Sequence, residues 1–349
     1  DKAFQDMLVS NNPYVKALAE ARLAVKSTLE ETRTERFMGI AERGALPAPI
    51  KYYAAHTGRW GGDDKINMQN LPSRGNKSLK DSICAPEGYM LIDCDSSQIE
   101  ARVLAWLAGQ DDLVKAFDVG EDVYKKMAAD IYNVSVDEVT KEQRFVGKTA
   151  ILGAGYGMGA LRFKDQLKAQ SGVDITLDEA RRIIEVYRQS NWKIAHFWRA
   201  CQDMLVKMYN NEPAGIGTNK LISSTEQAIK LPSGLLMRYD DLNFEQGEKG
   251  REFSYQTRQG RTRIYGGKVT ENVCQAVARC IIGDQMLLIA KTYKVVMTVH
   301  DSIICCVPED EVNEAQQFIE TCMRAVPSWC VGMPLDCESG AGKTYGSCG

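Results

Sequence analysis

"YMLIDCDSSQIEAR", residues 89–102, runs from an apolar segment into two acids two residues apart, then into a polar turn and a new helical pattern. Tyr89 to Asp95 reads as a strand, and beyond it Ile99, Val103, Trp106 and Leu107 recur at helical spacing. Side chains alternate along a strand, so Asp93 and Asp95 share a face and Asp95 stands where the strand ends. Ser97 followed three residues later by Glu100 has the form of a capping box, a purely local use for that acid at a helix start.

A second aspartate is presented in the same way far along the chain. In "VVMTVHDSIICCV", residues 295–307, two short apolar strands flank a three-residue turn, His300-Asp301-Ser302. Alone, such an aspartate is ordinary turn chemistry. Two strand-end carboxylates that meet make a hard oxygen site, and magnesium takes one or two carboxylates together with water and substrate phosphate. Two such ions about 3.5 to 4 Å apart stabilise both the attacking and the leaving oxygen of an in-line phosphoryl displacement.

The third segment is "RFVGKTAILGAGYGMG", residues 144–159. Arg144, Lys148, Leu152 and Tyr156 recur every four residues and so share one helix face. Its two cations suit phosphates, and its apolar and aromatic members suit a sugar and a base. Two competing motifs fail on context. "GKT" occurs here and at 342–344, but a phosphate loop needs a glycine five residues earlier, where Glu142 and Cys337 stand. "GYGMGA" has the spacing of a dinucleotide fingerprint but closes a basic helix, whereas that motif follows a strand.

Composition bounds the rest. The chain has 349 residues, 44% of them hydrophobic, enough for a substantial core and more than one subdomain. No stretch nears the roughly 20 uninterrupted apolar residues of a membrane span. The start "DKAFQDML" lacks a signal-peptide layout, so cytoplasmic chemistry and no membrane partner are expected. Asp1 in place of Met points to a longer parent chain. The eleven scattered cysteines, with no Cys-x-x-Cys, read as reduced core residues. Net charge is only −3, but residues 249–268 carry six bases against Glu252 alone and residues 301–338 eight acids against Arg324 alone. That asymmetry fits a local groove for a polyanion, although a solvated charged face is commoner. Residues 1–44 read as helical, on Val15, Leu18, Leu23, Val25 and Leu29; 45–88 as an irregular connection; 111–210 as largely helical; and 271–292 as helix again.

Taken together, "DSSQIEAR" (95–102), "RFVGKTAILGAGYG" (144–157) and "VHDS" (299–302) resemble, in order and spacing, the first palm motif, fingers helix and second palm motif of family A DNA polymerases. "TGRW" (57–60), "NMQNLP" (67–72), "ENVCQAVAR" (271–279) and "MPLDCESGAGKTYG" (333–346) match secondary motifs, so the resemblance covers residues 45–349, with a phage-type texture after residue 210. It implies an α+β right-hand fold: a thumb remnant over 1–44, palm over 45–110 and 271–349, and fingers with a connecting segment over 111–270. It implies that Asp95 and Asp301, with the main-chain carbonyl of Ser96, bind two Mg2+ ions, for which Mn2+ can substitute. Arg144 and Lys148 would grip the incoming triphosphate, and Lys148 would protonate the departing pyrophosphate. Glu100 would close the space at the sugar 2′ position, supported by Tyr156, with Gln98, Tyr124 and Leu152 also facing the nucleotide. Arg59, Asn67, Gln69, Gln275 and His300 would hold primer-template DNA. The implied enzyme is a monomeric DNA-directed DNA polymerase using dNTPs, with no room in this chain for the family's proofreading exonuclease.

Four positions depart from the family pattern: Leu152 is usually aromatic, Ser302 usually an acid, Ser96 usually Tyr, and Tyr124 commonly His. A single-subunit RNA polymerase shares the plan, but Glu100 occupies space that a ribonucleotide needs. A fragment that only binds primer and template is the other alternative, opposed by the intact set of Asp95, Asp301, Arg144 and Lys148.

Overall fold

Apolar residues alternate onto both faces of the strand that carries Asp95, so both faces need cover, and segments from distant parts of the chain provide it. The computed structural model describes residues 4, 7–10, 12–24, 29–63, 66–72, 77–247 and 250–348; Val25 and Lys249 lie outside them. Helices α1 (Pro13–Ala24) and α2 (Leu29–Ala41), a two-residue ladder of β1 (Ile50–Lys51) and β2 (Gly61–Gly62), and the one-turn α3 (Ser78–Asp81) precede β3 (Tyr89–Ser96). Seven helices follow: α4 (Ile99–Ala108), α5 (Asp111–Asp118), α6 (Val123–Tyr132), α7 (Lys141–Thr149) running into a π-helical segment (Ala150–Ala154), α8 (Ala160–Ser171), α9 (Leu177–Ser190) and α10 (Trp192–Tyr209). Two small antiparallel sheets come next, β4 to β7 (within 215–238) and β8 (Asn243–Gly247), β9 (Gly250–Thr257) and β10 (Gly260–Ile264). Then come α11 (Gly266–Ile289), the hairpin β11 (Lys294–Val299) and β12 (Ser302–Pro308), α12 (Val312–Arg324) and β13 (Cys337–Gly342).

The central sheet has the order β11-β12-β3-β13 and is antiparallel throughout. On one face Ile92, Cys94, Ile303 and Val307 pack on Ile282 and Ile289 of α11 and Ile319 and Met323 of α12. On the other, Leu91 and Ile304 meet Ile66, Met68, Leu71 and Leu79. Each fully buried aliphatic side chain contributes about 1.5 to 3 kcal/mol, so the sheet is clamped from both sides and its strand ends are fixed platforms. α4 is buried on nearly every side because it joins this sheet to the helices that follow, which explains its apolar run.

The architecture is the expected α+β one, and no helix among the described residues is long and apolar enough to cross a membrane. All eleven cysteines are free, and Cys84 alone is exposed. The hairpin is one residue tighter than expected: Ser302 already pairs in β12, leaving His300 and Asp301 as the turn, with His300 in the left-handed region at φ +57°. The basic run after 249 is mostly a paired face, since Arg261 meets Asp241, Arg263 meets Glu252 and Lys268 meets Glu271.

Candidate active site

Strand register brings the two aspartates together. Ser302, the residue after Asp301, lies directly opposite Asp95, and the Ser96 N–H donates to the Asp301 carbonyl at 3.2 Å. On the other flank Glu338 of β13 faces Asp95, placing a third acid beside it that the sequence pattern did not single out. Asp93, on the same face, is half-buried and accepts a hydrogen bond from the Ser302 hydroxyl, so the serine that replaces an acid here serves a neighbouring carboxylate. Loss of solvent around its carboxyl, then the negative charges of Asp301, Asp93 and Glu338, push Asp95 up to about 7, although the residue as a whole is exposed at the sheet end. Desolvation also raises Asp301, with Glu100 adding to the rise and Arg59 opposing it. Ser96 is buried and its hydroxyl has no partner among the described residues.

Glu100 is the hub between the aspartates and the helix that carries the cations. Its Oε1 pairs with Arg59 Nη2 at 2.5 Å, and its Oε2 accepts from the Tyr156 hydroxyl at 3.0 Å. The expected capping box does not form: Gln98, at φ +49° and exposed, is the N-cap of α4 and makes no side-chain cap bond. Partners 41 and 56 residues away have taken the carboxylate, and a charged guanidinium outcompetes a backbone N–H.

The cation helix starts at a real capping box, Thr140 with Gln143. Arg144 Nε donates to Asp122 Oδ2 at 2.6 Å, with its guanidinium 5.4 Å from the Tyr124 ring centroid, and Lys148 Nζ is 5.8 Å from the same ring. Tyr124 is buried and so acts as a floor under both cations. The uniform four-residue face stops after Lys148, where α7 passes into the π turn. "GAGYGMG" has weak helical propensity, and a π turn breaks the four-residue row. Leu152 stays on that turn, 39% exposed, while Tyr156 lies past it and reaches Glu100.

The expected DNA-binding residues divide into two kinds. Arg59, Gln69 and His300 line one cleft with Asp301. Asn67 accepts from the Gln69 N–H at 3.0 Å, and Gln69 Nε2 donates to the Trp60 carbonyl at 3.1 Å, so these two also shape the Arg59–Trp60 turn. Gln275 on α11 accepts a bond from Thr57 at 3.4 Å. Asp122, an N-cap 22 residues before Arg144, was not anticipated; only its helix-start position signalled it.

Among the described residues no group of three or more His, Cys, Asp or Glu side chains is arranged to hold a metal. The crowded pair Asp95 and Asp301 nevertheless fits Mg2+ or Mn2+, which need only one or two carboxylates when water and substrate phosphate complete the shell.

The fold is that of a right-hand polymerase. The chain superposes on the POL domain of Pol1 from M. smegmatis, solved in complex with DNA primer-template and dNTP, with a TM-score of 0.68 at 23% identity, over 99% of this chain and 56% of that one. Residues 1–213 match the model of DNA polymerase family A. The DNA polymerase of Bacillus phage SP02 is 30% identical over 367 residues, covering 90% of this chain and 55% of that protein. The thermostable DNA polymerase I of Thermus filiformis is 27% identical over 305 residues, 86% of this chain and 32% of that protein. The chain therefore belongs to DNA polymerase family A. It spans about half the length of the phage relative and less of the bacterial one.

Proposed function

We propose that this chain is the polymerase portion of a template-directed DNA polymerase that adds deoxynucleotides to a primer 3′ end and releases pyrophosphate. Residues 45–110 and 271–349 form its palm, 111–270 its fingers and connecting segment, and 1–44 a thumb remnant. The observation that carries this reading is the meeting of Asp95 and Asp301 at one end of a clamped sheet, joined through Glu100 and Tyr156 to the segment that bears Arg144 and Lys148.

Asp95, Asp301 and the Ser96 carbonyl would hold the metal ions. Bound there, Mg2+ supplies charge stabilisation at the attacking and leaving oxygens. Arg144, oriented through its Nε by Asp122, keeps both Nη groups for the triphosphate. Lys148 donates a proton to the departing pyrophosphate, a contribution of typically about 10²- to 10⁴-fold. Glu100, fixed from both sides, blocks the 2′ position of the sugar, and Leu152 and Gln98 border the same space. Arg59, Gln275 and His300 hold the primer end, with Asn67 and Gln69 supporting Arg59. Primer-template DNA and dNTPs are the partners, and the enzyme works as a monomer.

Primer extension with Mg2+, run separately with dNTPs and rNTPs, tests this. Extension with dNTPs, abolished by Asp95→Ala or Asp301→Ala with DNA binding retained, is expected. Extension with rNTPs alone would make it an RNA polymerase, and binding without extension a primer-template clamp.

A further inference from the structure

Glu271, Gln275, Arg279 and Gly283 recur every four residues along α11, each half-exposed, and so share one open face of the helix. Glu271 is paired with Lys268, and Gln275 meets Thr57. Arg279 has neither kind of partner. No ion pair or side-chain hydrogen bond of the described residues includes it, and its Nε is buried without an acceptor. Its guanidinium instead packs against a pair of neighbouring rings, 5.3 Å from the Tyr52 centroid and 5.4 Å from that of Trp60, the two centroids being 6.2 Å apart. Trp60 is itself held through its carbonyl by Gln69. A Cβ on Gly283 would sit 3.7 Å from Arg279 Nη1, an ordinary contact distance, so the guanidinium lies along the next turn of α11.

This cation lines the same cleft as Arg59, His300 and Asp301. Two guanidiniums there face a single carboxylate, and Arg59 is already engaged with Glu100. A flat cation packed against a pair of rings is partly ordered before anything binds, and it presents its N–H groups as a fork, the geometry that binds a phosphate. We infer that Arg279 binds an internucleotide phosphate of the primer strand near its 3′ end. This rests on reading the cleft as the primer site, and it adds a backbone contact one helical turn beyond Gln275.

The test is fluorescence anisotropy of a labelled primer-template with the wild type, Arg279→Gln and Arg279→Lys, over a range of salt. Glutamine keeps a flat amide against the rings and removes the charge. Arg279→Gln is expected to bind several-fold more weakly, with a log K against log salt slope shallower by about 0.9, as for one lost phosphate contact. Arg279→Lys should keep the wild-type slope at reduced affinity. Primers carrying one neutral methylphosphonate linkage at a time locate the phosphate: at one linkage the wild type should fall to the level of Arg279→Gln, which should lose nothing more there. Unchanged affinity and slope in Arg279→Gln, at wild-type thermal stability, would overturn the inference and leave Arg279 as a ring spacer. If Arg279→Gln does not fold, the wild-type methylphosphonate scan decides, since the absence of any sensitive linkage near the 3′ end has the same meaning. Failure of the wild type to extend any primer would instead defeat the polymerase reading, so the two failures are distinct.

Discussion

At Glu100 two long-range bonds displace a local one, and that choice shapes what the residue can do. Arg59 and Tyr156 fix both carboxylate oxygens, so the side chain is a rigid wall. Glu100→Ala is expected to raise the ratio of rNTP to dNTP incorporation and to slow dNTP turnover, because the wall goes and Tyr156 loses its acceptor. Single-nucleotide incorporation measures both, and an unchanged sugar preference would place Glu100 away from the ribose. Asp95 carries a different signature. A carboxyl held above its usual range keeps in the folded state a proton that the unfolded chain releases, so its contribution is present at low pH and lost as pH rises from about 4 to about 7. In EDTA at pH 8, Asp95→Asn should therefore melt at a higher temperature than the wild type, and the gap should close toward pH 4. Thermal melts at the two pH values check this, and a gap that persists at low pH would mean that charge repulsion is not its source. Both aspartates were legible as acids at strand ends. Glu100 was legible as an acid at a helix start, but its bonds were not, because they depend on partners that only the fold brings near.

The elements that carry the cations show where pattern reading reaches its limit. Capping boxes at Thr140 and Thr176 mark true helix starts, because each satisfies orphan N–H groups with residues three apart. The π turn leaves no such local mark. Glycines weaken the α-helix there without marking where its pitch changes, and a four-residue repeat cannot register that change. The packing just before it is equally unmarked: a Cβ on Gly147 would run into the Tyr124 carbonyl and come within 2.9 Å of the Ala128 nitrogen, so α6 and α7 are in backbone contact. Gly147→Ala gains about 1 kcal/mol in helix propensity but costs about 1 to 3 kcal/mol in overpacking. A net loss in urea midpoint is expected, with a higher dNTP KM as α7 moves off Asp122. A variant more stable than the wild type, with its KM unchanged, would show that the two helices can separate freely.

Over the whole molecule, the second cover of the central sheet was the least legible feature, since Ile66, Met68 and Leu71 sit in a segment with neither helical nor strand period. A related long-range tie holds the helical region to the sheet. Arg102 of α4 is 4% exposed, its Nη1 donates to the carbonyls of Phe117 and Pro334 at 3.3 Å each, and its guanidinium lies 4.9 Å from the Phe117 ring centroid. It thereby joins α5, on the helical side, to the segment that leads into β13. Asp336, 3.9 Å away, is better served by Arg324 at 3.0 Å, so the two carbonyls and the ring account for most of the stabilisation. Arg102→Ala leaves both carbonyls without this donor, at about 1 to 3 kcal/mol for each that stays buried and unpaired, and removes a cation–π contact of about 0.5 to 2 kcal/mol. A loss of about 3 kcal/mol in urea unfolding is expected, with the extension rate per folded molecule retained. Arg102→Lys should recover only part of it, because a compact ammonium does not stack on the Phe117 ring as a planar guanidinium does. A wild-type midpoint combined with lost extension would invert this reading and move Arg102 from the frame into the site.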